Sequence, residues 1–342
     1  MNTILVTGGT GFVGSWVVKG LLEKGYTVRV ALRNISKKEK YSHLLPFDQH
    51  NKLSFHEADL LIDGSYDEAA KGCDAIMHIA SPFLLNFKDP QTELIDPALN
   101  GTRNVLSAAS KSETVKKIVL TSSVAAIYGD NVDMKKKGLT EFTEEHFNTS
   151  SSLKHSPYSF SKTIAEKEAW KINEVQNQWD LVVINPSFVI GPPLSKVSLS
   201  GTFSFVGDIL SGKFKTGAPD LTFGYVDVRD VANAHILALE NENAKGRHIL
   251  AERCEKILIL TKSIENSFPK RFKLPKSNAP KFILLMLGWA FGVTYKFVKN
   301  NVGHPLKLNA SKSKKELGLT YTDFDTTVKD MVDKMDGLGM IK

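Results

Sequence analysis

Residues 3–33 read TILVTGGTGFVGSWVVKGLLEKGYTVRVALR, and this stretch decides the fold. The apolar run Ile4-Leu5-Val6 predicts a strand over Thr3–Thr7. A glycine turn over Gly8–Gly14 follows, then a helix over Ser15–Lys24 and a second strand over Thr27–Leu32. The turn satisfies two spacings at once, Gly9-x-Gly11-x-x-Gly14 and Gly8-x-x-Gly11-x-x-Gly14. In such a turn one glycine makes the bend, one lets backbone N–H groups approach a pyrophosphate, and one lets the helix close on the strand. The N-terminus of the helix then offers unsatisfied N–H donors to that anion. An ordinary strand–helix turn needs fewer glycines, so the stretch predicts a dinucleotide site.

The second strand ends at Arg33-Asn34, with Lys37, Lys38 and Lys40 beyond it. An acid near this position would bind the two ribose hydroxyls of NAD. A cation instead pairs with a 2′-phosphate, so NADP(H) is expected over NAD(H), which stays possible. A third strand over Leu53–Ala58 leads to Asp59 and Leu60. Asp59 is placed either to accept from an adenine amino group or to cap the next turn. The nearly all-apolar strand 75–80 reads as covered on both faces. His78 inside it reads as a core histidine rather than a base.

A long helix is expected from Glu93 to Ser110. The strand 117–120 then delivers Thr121-Ser122-Ser123 to the carboxyl edge of the sheet. Ser156 suits an N-cap and Pro157 a first helical position, ahead of a helix reaching Gln176. Leu181–Asn185 is a further strand ending at Pro186. Thr222–Asp227 reads as a strand, Val231–Glu240 as a helix capped by Asp227 or Asp230, and Arg247–Ala251 as a returning strand. The alternation predicts an α/β fold, a doubly wound parallel Rossmann sheet with a smaller, mostly C-terminal substrate-binding part. The expected division puts residues 1–185 and 218–251 in the dinucleotide-binding domain. Residues 186–217 and 252–342 form the substrate part.

The chemistry is carried by Tyr158-Ser-Phe-Ser-Lys162, which puts a phenol and an ammonium on one helix face. An ammonium and a helix N-terminus both favour the phenolate, moving the tyrosine from its usual ~10 toward a useful proton donor. Ser123 ends a strand at the same edge, where it can hydrogen-bond a carbonyl while Tyr158 protonates the oxygen. Lys162 would hold the nicotinamide ribose.

With these residues in place, the sequence resembles the extended short-chain dehydrogenase/reductase superfamily, and within it the dihydroflavonol reductase and cinnamoyl-CoA reductase-like branch. VTGGTGFVGSWVV, GYTVRVALR, GSYDEAAKGCDAIMHIASPF, LTSS, YSFSKTIAEKEAWK, NPSFVIGPP and VDVRDVANAHI carry the likeness, over roughly residues 3–255. The resemblance implies that Gly8, Thr10, Gly11, Phe12, Val13 and Gly14 lie along the pyrophosphate. Arg33 and Lys40 would meet the 2′-phosphate, and Asp59 and Leu60 the adenine. Ile79, Ala80 and Ser81 would line the nicotinamide side, and the backbone of Pro186, Ser187, Phe188 and Val189 would fix the carboxamide. Ser123, Tyr158 and Lys162 would be catalytic. The plant dihydroflavonol reductases carry an asparagine just after the serine; here Val124-Ala125-Ala126-Ile127 stands instead, and HSPYSFSK departs from the cinnamoyl-CoA reductase motif. An apolar pocket of Phe83, Ile127, Phe188, Phe203 and Tyr225 is suggested.

The 342 residues, 42% apolar and 24% charged, are those of a globular chain with room for a sizeable core. The net charge of +7 comes largely from lysine runs, which read as solvated surface. No nucleic-acid module accompanies them. Cys73 and Cys254 stand apart from any Cys/His spacing, so neither a metal nor a disulfide is expected. The chain enters its first strand directly, so no leader is expected and a cytoplasmic protein is read, monomer or homodimer. The apolar run Phe282–Val293 is short of the ~20 residues that span a bilayer and reads as a buried or lid helix. The expected activity is NADPH-dependent reduction of a small or medium apolar aldehyde or ketone. Its rivals are a sterol-type or sugar dehydrogenase or epimerase with the same triad, and a cofactor-binding redox sensor without turnover.

Overall fold

The computed structural model describes residues 2–81, 88–197, 201–288 and 293–341. In chain order its strands are β1 (Thr3–Thr7), β2 (Thr27–Leu32), β3 (Leu53–Glu57), β4 (Ala75–His78), β5 (Lys117–Thr121), β6 (Asp180–Pro186), β7 (Phe188–Ile190), β8 (Thr222–Asp227), β9 (Gly246–Leu250) and β10 (Arg253–Lys256). Seven of them form one parallel sheet in the order β3-β2-β1-β4-β5-β6-β9. The strand order reverses between β1 and β4, the crevice where open α/β sheets bind ligands. Thr7 at the end of β1 lies opposite Ala31 of β2 and His78 of β4.

Both faces of this sheet are covered, which is why its strands are apolar without alternation. The helices α1 (Phe12–Glu23), α2 (Asp67–Ala70), α3 (Asp96–Lys111), α4 (Val132–Lys136) and α5 (Pro157–Glu174) precede β6, and α6 (Gly201–Leu210) and α7 (Val228–Glu240) follow it. On one face Val17, Val18 and Leu21 of α1 and Val231 and Leu239 of α7 pack on Ile4, Val6, Val30 and Val182. On the other, Ala69 of α2, Val105 and Leu106 of α3 and Ala169 of α5 pack on Leu5, Ile76, Ile118 and Val183.

The remaining strands make a small sheet, β10-β8-β7, with β8 antiparallel to β10 and parallel to β7. Thr222–Asp227, grouped from the sequence with the dinucleotide-binding half, therefore pairs outside the large sheet. Helices α8 (Ile257–Ser267) and α12 (Phe324–Gly337) and the α6 residues Phe203, Val206 and Ile209 enclose a separate core around it. Between them, α9 (Lys281–Leu287), α10 (Tyr295–Asn301) and α11 (Ser311–Leu317) complete the chain.

Several local expectations shift. The first helix starts at Phe12, inside the glycine turn. A π-helical turn, Gln91–Ile95, precedes α3, so the helix expected at Glu93 begins its α-form at Asp96. Ser156 makes no side-chain cap to α5; its backbone is left-handed, with φ of 53°. Asp227 rather than Asp230 caps α7, accepting from Arg229 N–H at 2.7 Å. Ile127, Phe203 and Tyr225, read as pocket walls, are core residues exposed by 6% or less. Phe188 alone of that set stays half-buried, against Phe205 and Phe223. Phe83 lies outside the described residues. α9 is half-buried: Leu284 and Leu285 pack against the second core, while Phe282 and Met286 are 64% and 70% exposed. Among the described residues no helix is long and apolar enough to cross a membrane.

Candidate active site

The glycine turn is built by contacts that no side chain would tolerate. Gly8 has φ of +69°, and a Cβ there would sit 2.8 Å from the Ala80 backbone. A Cβ on Gly14 would sit 2.1 Å from the Gly8 carbonyl oxygen, which accepts from Gly11 N–H at 3.0 Å. Gly9 faces Val30 of β2, where a Cβ would come within 2.9 Å. Gly11 is the N-cap of α1 and offers no side chain to its first turn, which carries no acid. Phe12 turns its ring into the core against Phe203, with ring centroids 4.6 Å apart, and Val13 packs beside it. The backbone N–H groups that follow Gly11 thus stand at a helix N-terminus, a position that suits an anion.

Arg33 lies exposed just past β2 and enters no hydrogen bond or ion pair among the described residues. Lys40 is exposed on the following 3₁₀ turn. Asp59 and Arg33 flank Tyr66, whose phenol burial pushes well above its usual value, with Asp59 adding to the rise and Arg33 opposing it. Asp59 Oδ1 accepts from Leu61 N–H at 3.0 Å, the turn-capping role. Leu60 lines a small cavity with Ala80, Ser81, His78 and Lys162, so four of the expected cofactor-side residues meet at one place. Ile79 packs into the core beside them. His78 is a core histidine. Thr7 Oγ1 lies 2.8 Å from its Nδ1, and burial pulls the ring down to about 3, Lys162 adding to the fall.

The chemical groups converge through α5. The Ser123 hydroxyl accepts from Ala125 N–H at 3.1 Å and keeps its own proton for another acceptor. Thr163 Oγ1 reaches the Ala125 carbonyl at 3.4 Å, seating α5 on the turn that Ser123 begins. Lys162 Nζ lies 5.9 Å from the Tyr158 ring centroid, over the ring. Burial pushes the phenol up to about 12, the reverse of the sequence expectation. Burial also pulls Lys162 down to about 8, although Glu166 acts to raise it. Burial thus favours the protonated phenol at Tyr158 and works against the ammonium of Lys162.

The Pro186–Val189 strap runs into β7, an edge strand with β8 as its one neighbour in the small sheet. Pro186 has no N–H, and Ser187 N–H donates to the Leu250 carbonyl at 2.9 Å. Phe188 and Val189 pair with Tyr225 and Val226. That pairing engages only alternate backbone groups, and the Ser187 hydroxyl is buried and without a partner among the described residues, a group a carboxamide would satisfy. The glycine cradle, the uncommitted Arg33 and this orphan hydroxyl together fit a dinucleotide.

The family model described as "NAD dependent epimerase/dehydratase family" matches residues 4–251. The chain belongs to that family. Among this family's relatives, a protein named cinnamoyl-CoA reductase CAD2 from Medicago truncatula is 37% identical over 338 residues, 98% of this chain and 95% of its own length. Two solved structures have the same fold at a TM-score of 0.81. One is Gre2 of Candida albicans in complex with NADPH, 30% identical, covering 99% of both chains. The other is a yeast methylglyoxal/isovaleraldehyde reductase, Gre2, complexed with NADPH, 26% identical, covering 99% of this chain and 100% of that one. The oxidoreductase class of the sequence reading agrees with these family relatives.

Three residues of the site escaped the sequence reading: Glu166, Asn185 and Arg247. Glu166 Oε1 accepts from Arg247 Nε at 2.5 Å, its other oxygen accepts from Asn185 Nδ2 at 2.8 Å, and the Ser122 hydroxyl bonds it closely. A signal existed. Glu166 repeats the Tyr158-to-Lys162 interval once more along the helix, so Tyr158, Lys162 and Glu166 share a face.

Proposed function

We propose that this chain is an NADPH-dependent carbonyl reductase acting on a small or medium apolar aldehyde or ketone. The observation that carries the reading is Tyr158, half-buried, on the same helix face as Lys162 and beside the turn that holds Ser123. A reduced nicotinamide, when bound, supplies the hydride that the carbonyl carbon accepts. Ser123 donates a hydrogen bond to the carbonyl oxygen and fixes its orientation. Tyr158 gives that oxygen its proton as negative charge develops there. Lys162 holds a ribose hydroxyl and, being cationic, stabilises the tyrosinate left behind. The glycine turn, Arg33 and Lys40 bind the phosphates; the Ser187 hydroxyl meets the carboxamide.

The NADPH complexes of both similar structures, and the aldehydes named for the yeast one, support cofactor and substrate class. The test is NADPH oxidation against a panel of aldehydes and ketones, for wild type and Tyr158→Phe. Loss of the proton donor lowers turnover about 10²–10⁴-fold while NADPH still binds. Equal turnover in the two proteins overturns the role of Tyr158. Tight NADPH binding with no turnover on any carbonyl overturns the reductase reading.

A further inference from the structure

Glu166 is a buried carboxylate with no part in the chemistry above. Its side chain is 0% exposed, and that of its ion-pair partner Arg247 is 7% exposed. A buried pair of this kind contributes little net stability, because desolvation of two charges offsets their attraction. Apolar residues of the same volume would hold the helix as well. The carboxylate is instead placed against three neighbouring strands: Ser122 follows β5, Asn185 lies near the end of β6, and Arg247 near the start of β9. Asn185 Nδ2 also holds the Ser123 carbonyl at 3.2 Å. Arg247 is itself fixed, donating to the Glu144 and His146 carbonyls at 2.8 and 2.6 Å and stacking 3.9 Å from the Phe147 ring centroid. The indole N–H of Trp170 donates to Glu166 at 3.3 Å.

We propose that Glu166 is a positioning residue of the catalytic set: clamped by Arg247, it fixes the Ser122–Ser123 turn against α5 and keeps a negative charge one helical turn behind Lys162. The groups facing Lys162 fit that role. Tyr158 and Glu166 stand on its own helix, and His78, neutral, faces it from β4. The cavity wall contributed by β5 and α3 brings Thr121, Ser122, Gly101 and Thr102, none charged. Glu166 thus acts to hold the charge on Lys162 in a site whose burial works to discharge it.

The inference deepens the reductase reading, so its deciding test omits substrate and cofactor. Glu166→Gln and the double variant Glu166→Gln/Arg247→Gln, which leaves no lone buried charge, are labelled at Lys162 with an amine-reactive reagent across pH and read by mass spectrometry. The labelling midpoint moves down by about one pH unit in both, and Glu166→Asp restores the wild-type midpoint. If carbonyl reduction is found, its alkaline fall moves by the same amount and kcat drops more than the KM for NADPH. An unmoved midpoint in either folded Gln variant overturns the inference. So does an Asp variant that labels like Gln, or loss of the melting transition in both Gln variants, which would make the carboxylate a folding requirement. If wild type reduces no carbonyl, the labelling result still decides.

Discussion

Arg33 is one exposed side chain, and the proposed contact with the 2′-phosphate rests on it. A guanidinium meeting a phosphate gives a charge-assisted bond worth about 1.5–3 kcal/mol, or ~10–100-fold in affinity. Arg33→Ala should weaken NADP(H) by that factor and leave NAD(H) unchanged, measured by titrating both dinucleotides. An equal change for both would remove the 2′-phosphate from its account. At this scale the sequence was informative wherever spacing alone sets geometry, as for Tyr158 and Lys162 on one helix face. It was blind to Glu166 because that residue's role depends on Ser122, Asn185 and Arg247 arriving from three strands. It misjudged the Tyr158 phenol because burial is a property of the fold, not of the neighbours in sequence.

Among elements, the strand–turn–helix at the start of the chain is the most constrained. Its glycines are not equivalent, and substitution should rank them. A Cβ at Gly14 would lie 2.1 Å from the Gly8 carbonyl oxygen, a backbone atom that cannot swing aside. At Gly11 the nearest atom is 3.3 Å away, so a small shift relieves it. Gly14→Ala should therefore cost about 1–3 kcal/mol by overpacking and abolish dinucleotide binding, with Gly11→Ala clearly milder in both. Urea unfolding and dinucleotide titration measure the two effects, and equal losses would contradict the geometry. This element was readable because its partners are adjacent in sequence. The small sheet was not. Thr222–Asp227 was found as a strand with its bounds, but its pairing with Phe188–Ile190 and Arg253–Lys256 is set by long-range packing.

For the whole molecule, buried histidines set the acid limit. His235 is fully buried, its Nδ1–H donating to the Val231 carbonyl at 2.7 Å, and burial pulls it down to about 4. His78 is pulled to about 3, and burial lowers His248 as well. A histidine with a lowered folded pKa binds protons better when unfolded, so its stabilisation is full above about 6.5 and is lost as pH falls below that value. His235 alone accounts for roughly 3 kcal/mol between pH 6.5 and 4. Asp230, pushed up to about 6 by burial, works the other way, its contribution fading as pH rises from about 4 to 6. With three groups against one, the melting temperature should fall steadily from pH 6.5 to 4. A flat profile over that range would mean these rings are not neutral in the folded state.

The last strand of the large sheet, β9, has a consequence for how the chain is made. It pairs with β6 only after the whole of the small sheet's β7 and β8 has been synthesised between them. Glu166 waits 81 residues for Arg247. At about 5–20 residues per second, a nascent chain spends seconds with a helix whose central carboxylate lacks its guanidinium partner. The Arg247 clamp on α5 therefore forms only when β9 closes the sheet, so this buried pair and the last strand pairing are one late, long-range event.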